Sequence, residues 1–256
     1  MTEGEYRRIL ADHDREIEIM DSLGFLLQGV GRGEQSWQLI ERAAAIDPLA
    51  AGPQYKRAIK LWIRGDIEQG DRVANRAVEL WPQHPWVWNA RFMTLMFSGR
   101  PGAARAMLAD RASHPETIAV PALATWRRGL DALENPTPAT IAAARQAYFA
   151  AAPRSPGIAV HGIMTLAGLG EVDAAYDIIE MLVFNDGPLA RPAAEMPSKV
   201  LLSNAGWRQT QWLFTPPLES VRADGRYRAL TERTGLADYW EKTGQGPDPV
   251  RAWRVA

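Results

Sequence analysis

The chain has 256 residues, 46% hydrophobic and 23% charged, with 29 lysines and arginines against 30 acids for a net charge of -1. A near-neutral chain lacks the broad cationic face that grips a phosphate backbone, so no nucleic acid is expected as a partner. With no cysteine, disulfides and thiolate metal sites are excluded, and the composition fits a reducing, cytoplasmic setting.

Met1-Thr-Glu-Gly-Glu-Tyr6 places acids where a secretory leader would carry positive charge, and no apolar run approaches the roughly 20 residues that span a bilayer. Asp12-His13-Asp14, with Glu16 and Glu18, reads as a solvated acidic helix face. Adjacent residues on a helix point in different directions, whereas metal ligands come three or four residues apart.

From about residue 17 the chain repeats. Gly31, Gly65 and Gly99 stand 34 residues apart, as do Pro48 and Pro82. A fixed period of that length marks stacked helical hairpins. In the first unit (17–50), Met20, Leu23, Gly24 and Leu27 line one helix, Gly31 makes the turn, and Trp37, Ile40, Ala43 and Ala44 line the second until Pro48. The second unit (51–84) repeats the plan with Tyr55, Ala58, Leu61 and Trp62, then Ala74, Ala77 and Val78 before Pro82. The third (85–118) has Trp88, Phe92, Leu95 and Met96, then Ala104, Met107 and Leu108. Ala43 and Ala77 are small where two helices must approach closely.

A longer fourth unit (119–155) runs through a helix to Leu133, a turn at Asn135-Pro-Thr-Pro138 with Thr137 as cap, and a helix to Ala151. The fifth (156–189) turns at Gly168-Leu-Gly170. Beyond it Pro192, Pro197, Pro216 and Pro217 break the period, and residues 191–256 read as short helices. Leu218, Val221, Tyr227, Leu230, Leu236, Tyr239 and Trp240 are expected there to cap the last apolar face.

These residues resemble the tetratricopeptide region of bacterial signalling proteins, in particular the C-terminal halves of adenylate-cyclase-like and winged-helix regulators. The tail is similar to a closing motif of that group through Phe214-Thr-Pro-Pro-Leu218, Val221-Arg-Ala-Asp-Gly-Arg-Tyr227, Thr234-Gly-Leu-Ala-Asp-Tyr-Trp240 and Gly246-Pro-Asp248. Gly225 stands where the group has proline, and Pro249-Val250 replace an aromatic and a cysteine. The resemblance implies an all-α, right-handed superhelix of about five hairpins (1–190) with a C-terminal helical cap (191–256), in which first helices line a concave groove.

Catalytic signatures are missing. No Gly-x-Ser-x-Gly motif occurs, and Gly29-Val-Gly31-Arg-Gly33 lacks the strand and the Lys-Ser or Lys-Thr pair of a phosphate loop. His84 and His114 precede prolines at repeat junctions and read as helix-terminus groups, while His161 reads as a core or groove residue. No catalytic residue, metal site or cofactor is expected.

Arg57, Lys60, Arg64 and Arg91 fall on first helices, with Arg57 and Arg91 at equivalent positions 34 apart; Trp86 and Trp88 supply aromatic anchors. These six residues are the expected partner-binding set, suited to an acidic peptide or partner protein. The expected function is a non-catalytic interaction or signal-receiving scaffold. The alternative is a helical scaffold carrying a small-molecule or enzymatic pocket between groove and cap, which a closed cavity with convergent polar groups would favour.

Overall fold

The computed structural model describes residues 1–118, 120–190 and 205–250. Fourteen α-helices carry the fold, helix accounts for 76% of it, and no strand occurs among the described residues. Pro192 and Pro197 lie outside the described residues.

An N-terminal helix α1 (Glu3–Asp12) precedes five helix pairs. These are α2 (Ile17–Gly29) with α3 (Gly33–Ile46), α4 (Ala51–Arg64) with α5 (Ile67–Leu80), α6 (Pro85–Met96) with α7 (Pro101–Ala109), α8 (Val120–Glu134) with α9 (Pro138–Ala151), and α10 (Pro156–Gly168) with α11 (Val172–Ile179). The turns obey the sequence pattern: Gly31, Gly65, Gly99 and Gly170 all have φ between 75° and 83°, a conformation that costs a side-chain-bearing residue energy. Thr137 closes a full capping box at the start of α9. His84 accepts from the Val87 amide at the start of α6, the helix-terminus role expected of it. Ala43 and Ala77 are buried where their helices meet neighbours.

Helix α1 precedes the first repeat. It is capped by Thr2 and Glu5, and His13 lies in the connection after it rather than on a helical acidic face.

The C-terminal region comprises the 3-10 turns at 205–218, then α12 (Glu219–Ala223), α13 (Arg226–Arg233) and α14 (Leu236–Thr243). Leu218, Val221, Leu230 and Leu236 join the core beside α10 and α11, so this part covers the fifth pair. Its remainder does something the sequence reading did not include: it returns to the first pair. Thr210 Oγ1 donates to the Gly29 carbonyl at 2.5 Å, and Trp240 Nε1 to the Val30 carbonyl at 2.8 Å. The Asp248 amide donates to the Gly31 carbonyl at 2.8 Å, and its carboxylate accepts from the Glu34 amide at 2.8 Å, at the N-terminus of α3. Gly31 is required twice over, because a Cβ there would lie 2.6 Å from Pro247 Cβ and 2.7 Å from a Phe214 ring carbon. Helix α1 closes the same corner, where Glu3 accepts from Tyr239 and from the buried Arg32. Both ends of the array are joined through one segment.

Candidate functional site

A cavity of about 450 Å³ lies between the first helices of the pairs and the returning segment. Helical spacing assembles its wall. On α4, Tyr55, Lys56, Ile59, Lys60 and Ile63 form one stripe; on α2, Asp21, Phe25 and Gln28 do the same; on α6, Trp86, Asn89 and Met93 follow at i, i+3 and i+7. Val160 and Met164 complete the wall from α10, while Trp207, Gln211 and Trp212 roof it.

The lining follows the repeat. Asp21, Tyr55 and Asn89 stand 34 residues apart, and so do Phe25, Ile59 and Met93; all six face the cavity. Equivalent positions on successive first helices project the same way. One row is polar and aromatic, the other apolar.

The walls have distinct chemistry. Trp86 stacks between Tyr55 and Trp207, with ring centroids 6.0 Å and 5.6 Å away and planes inclined by 15° and 23°. This makes a flat aromatic side. Among the described lining residues, opposite charge is confined to one pair, Lys56 with Asp21. Burial, reinforced by the neighbouring Asp21 charge, raises the Tyr55 hydroxyl pKa and keeps it protonated. Lys60 is only 8% exposed. Its Nζ donates to the neutral side-chain amide of Gln28, and burial, with the nearby Lys56 charge, pulls its pKa down from 10.5 to about 7.

Polar groups of the lining are incompletely satisfied. Asp21 Oδ1, Asn89 Oδ1, Gln211 Oε1 and Trp212 Nε1 are buried with no hydrogen-bond partner among the described residues. A buried polar atom left unpaired costs about 1–3 kcal/mol, so several on one cavity mark a place where the fold is not optimised for itself alone.

The six residues expected to bind a partner separate here. Lys60 and Trp86 line the cavity. Trp88 is 1% exposed, packed on Phe92 and Trp126 in the core. Arg57 pairs with Glu41, Arg64 with Glu34 while lying over the Trp37 ring, and Arg91 with Asp71, which also holds Arg100. The equivalence of Arg57 and Arg91 is real, but each answers an acid on the preceding second helix. These three arginines therefore do not form an unpaired cationic groove. Asp21, Gln28, Lys56, Asn89 and the roof were missed; the 34-residue spacing of Asp21, Tyr55 and Asn89 was the available signal.

His161 is fully buried beside this site, against Phe92, Phe97, Trp126 and Trp207, and neither ring nitrogen has a hydrogen-bond partner among the described residues. Burial holds it neutral, with its pKa pushed down to about 3. It occupies the core just behind the cavity wall.

No group of three or more metal-ligating side chains occurs among the described residues, and no helix there is long and apolar enough to cross a membrane. No protein-family model and no curated protein sequence matches this chain.

Proposed function

We propose that this chain is a signal-receiving helical-repeat module of the tetratricopeptide type, and that its signal is a small molecule bound in the cavity between the first helices and residues 205–215. The supporting observation is a cavity of about 450 Å³ whose lining residues carry four buried polar atoms without a partner among the described residues, and a buried amine beside an aromatic wall. That volume is in the range of small-molecule sites, and a mostly apolar wall with a few fixed polar groups is their usual composition.

The lining describes its occupant. A flat aromatic or alicyclic body fits beside the Tyr55–Trp86–Trp207 stack. Hydrogen-bond donors on the ligand suit Asp21, Asn89 and Gln211, and an electron-rich oxygen suits Lys60. The role proposed is recognition rather than turnover, since the described lining residues include no nucleophile–base pair of the hydrolase kind.

The peptide-groove reading has a weaker basis. The face a peptide would occupy carries the chain's own residues 205–215, and Arg57, Arg64 and Arg91 already have acidic partners. A protein partner would then read the state of the returning segment, as expected of a cytoplasmic signalling chain.

Native mass spectrometry after incubation with a small-molecule extract of bacterial cells tests the proposal. Wild-type protein should retain a discrete small mass that Ile59→Trp, which fills the cavity, does not. Retention of the same masses by both proteins, or of none by either, refutes it.

A further inference from the structure

Only four of the 29 cationic residues are lysines: Lys56, Lys60, Lys199 and Lys242. The chain uses arginine nearly everywhere it needs a cation, yet both cations among the described lining residues are lysines on one stripe of α4. The distinction is chemical. A guanidinium stays protonated in proteins, whereas an ammonium can lose its proton and become a nucleophile.

The two lysines are held differently. Lys56 is ion-paired to Asp21. The acceptor of Lys60 is the uncharged amide of Gln28, and no carboxylate forms a salt bridge with it among the described residues. Other ionisable groups in the lining are Asp21 on α2 and Tyr55 and Lys56 on α4; the lining residues of α3, α6, α10 and the roof include none. Asp21 is engaged by Lys56, and that ammonium in turn disfavours a second positive charge at Lys60. A desolvated lysine beside another cation is the arrangement that activates an amine towards carbonyl carbon.

We propose that Lys60 is a carbonyl-reactive amine that captures a small aldehyde or ketone in the cavity as an imine. The Nζ lone pair attacks the carbonyl carbon, forming the C–N bond while the C=O π pair moves to oxygen. A proton lost from nitrogen and one gained by oxygen give the carbinolamine. Loss of hydroxyl as water, with a proton taken from solvent and the nitrogen pair closing the C=N bond, gives the protonated imine. Amine plus carbonyl yields imine plus water, with no oxidant, reductant or cofactor. Gln28 positions the attacking nitrogen. The proposal rests on the small-molecule reading of the cavity and narrows it to carbonyl compounds with a flat apolar body.

Benzaldehyde with sodium cyanoborohydride is the direct probe, since reduction fixes an imine as a benzylamine that peptide mapping can place. At pH 7.5 the adduct should concentrate on Lys60, with labelling about tenfold above Lys242, because an amine of ordinary pKa is almost wholly protonated there. Lys60→Arg should lose the adduct while keeping its helical circular dichroism, and Lys56→Arg should retain it. Benzyl alcohol, which cannot form an imine, separates the two ideas through quenching of cavity tryptophan fluorescence. If it binds but benzaldehyde is not trapped at Lys60, the amine has no such reactivity and the cavity reading stands. If labelling spreads over Lys242 and the N-terminus and survives in Lys60→Arg, the proposal is overturned. If neither compound binds the folded protein, proposal and cavity reading fall together.

Discussion

The indole N–H of Trp240 donates to the backbone carbonyl of Val30 across 2.8 Å of space and 210 residues of sequence. The bond ties α14 to the residue that ends α2, two positions from Gln28, and so links the closure of the array to the wall of its cavity.

Trp240 therefore tests whether the return is a structural element or a decoration. Trp240→Phe keeps a ring against Phe214 but removes the donor, and should cost about 1 kcal/mol; Trp240→Ala should cost about 2–4 kcal/mol through the added void. Urea denaturation reads both. If Trp240→Ala melts like wild type, the segment does not hold the two ends together.

A second expectation follows from the close approach at Ala77, which is 2% exposed. Ala77→Leu should destabilise by about 1–3 kcal/mol through overpacking. An unchanged denaturation midpoint would mean that the helix contacts are looser than described.

The fold was largely legible in the sequence because its signals are local and periodic. Gly31, Gly65 and Gly99 must take positive φ whatever else the chain does, and Pro48 and Pro82 must end helices. The same periodicity misled at Arg57 and Arg91: it correctly placed them on equivalent faces, but period alone cannot see Glu41 and Asp71 across the helix pair. The cavity was half legible. Lys60 and Trp86 stood out by residue type, whereas Gln211 and Trp212 lie in a segment without a period, which reaches α2 through Thr210 and Gln211 from more than 180 residues away. The tail motif is visible in the sequence only as a resemblance. That Phe214, Trp240, Pro247 and Asp248 converge on one corner around Gly31 is tertiary information.

The arginines give a prediction in the opposite direction from a binding role. Burial opposes ionisation of Asp71, but hydrogen bonds from Arg100 and Arg91 outweigh it and hold its carboxyl pKa below 3.8. A depressed folded-state pKa contributes stability that is present above about pH 4 and is lost as the pH falls through the folded value. Asp71→Asn should cost about 1–2 kcal/mol at pH 7 and flatten that acid loss. Full wild-type stability in Asp71→Asn would contradict the structural assignment of Arg91.

The two buried bases supply a pH signature. Lys60 and His161 both have folded-state pKa values below their ordinary ones, at about 7 and about 3. The unfolded chain binds the extra proton in each window, so stability should rise with pH from about 3 to 6.5 through His161 and from about 7 to 10 through Lys60. Each slope is at most about 1.4 kcal/mol per pH unit from these groups alone. Lys60→Met should remove the upper rise, and His161→Phe the lower one. Melts across pH 3–10 in which neither variant changes its slope would show that the two groups titrate like exposed ones.

A thermal-shift survey of compact aromatic compounds bearing carbonyl or hydroxyl groups, run on wild type and Ile59→Trp side by side, decides whether the cavity under residues 205–215 is a small-molecule site. A ligand present at about a hundred times its dissociation constant stabilises by about 2.7 kcal/mol, enough to move a melting temperature by several degrees. Such shifts are expected in wild type and are expected to be lost in Ile59→Trp, whose own melting point stays within a few degrees. Equal shifts in both proteins would place binding elsewhere on the chain and contradict the small-molecule reading of the cavity.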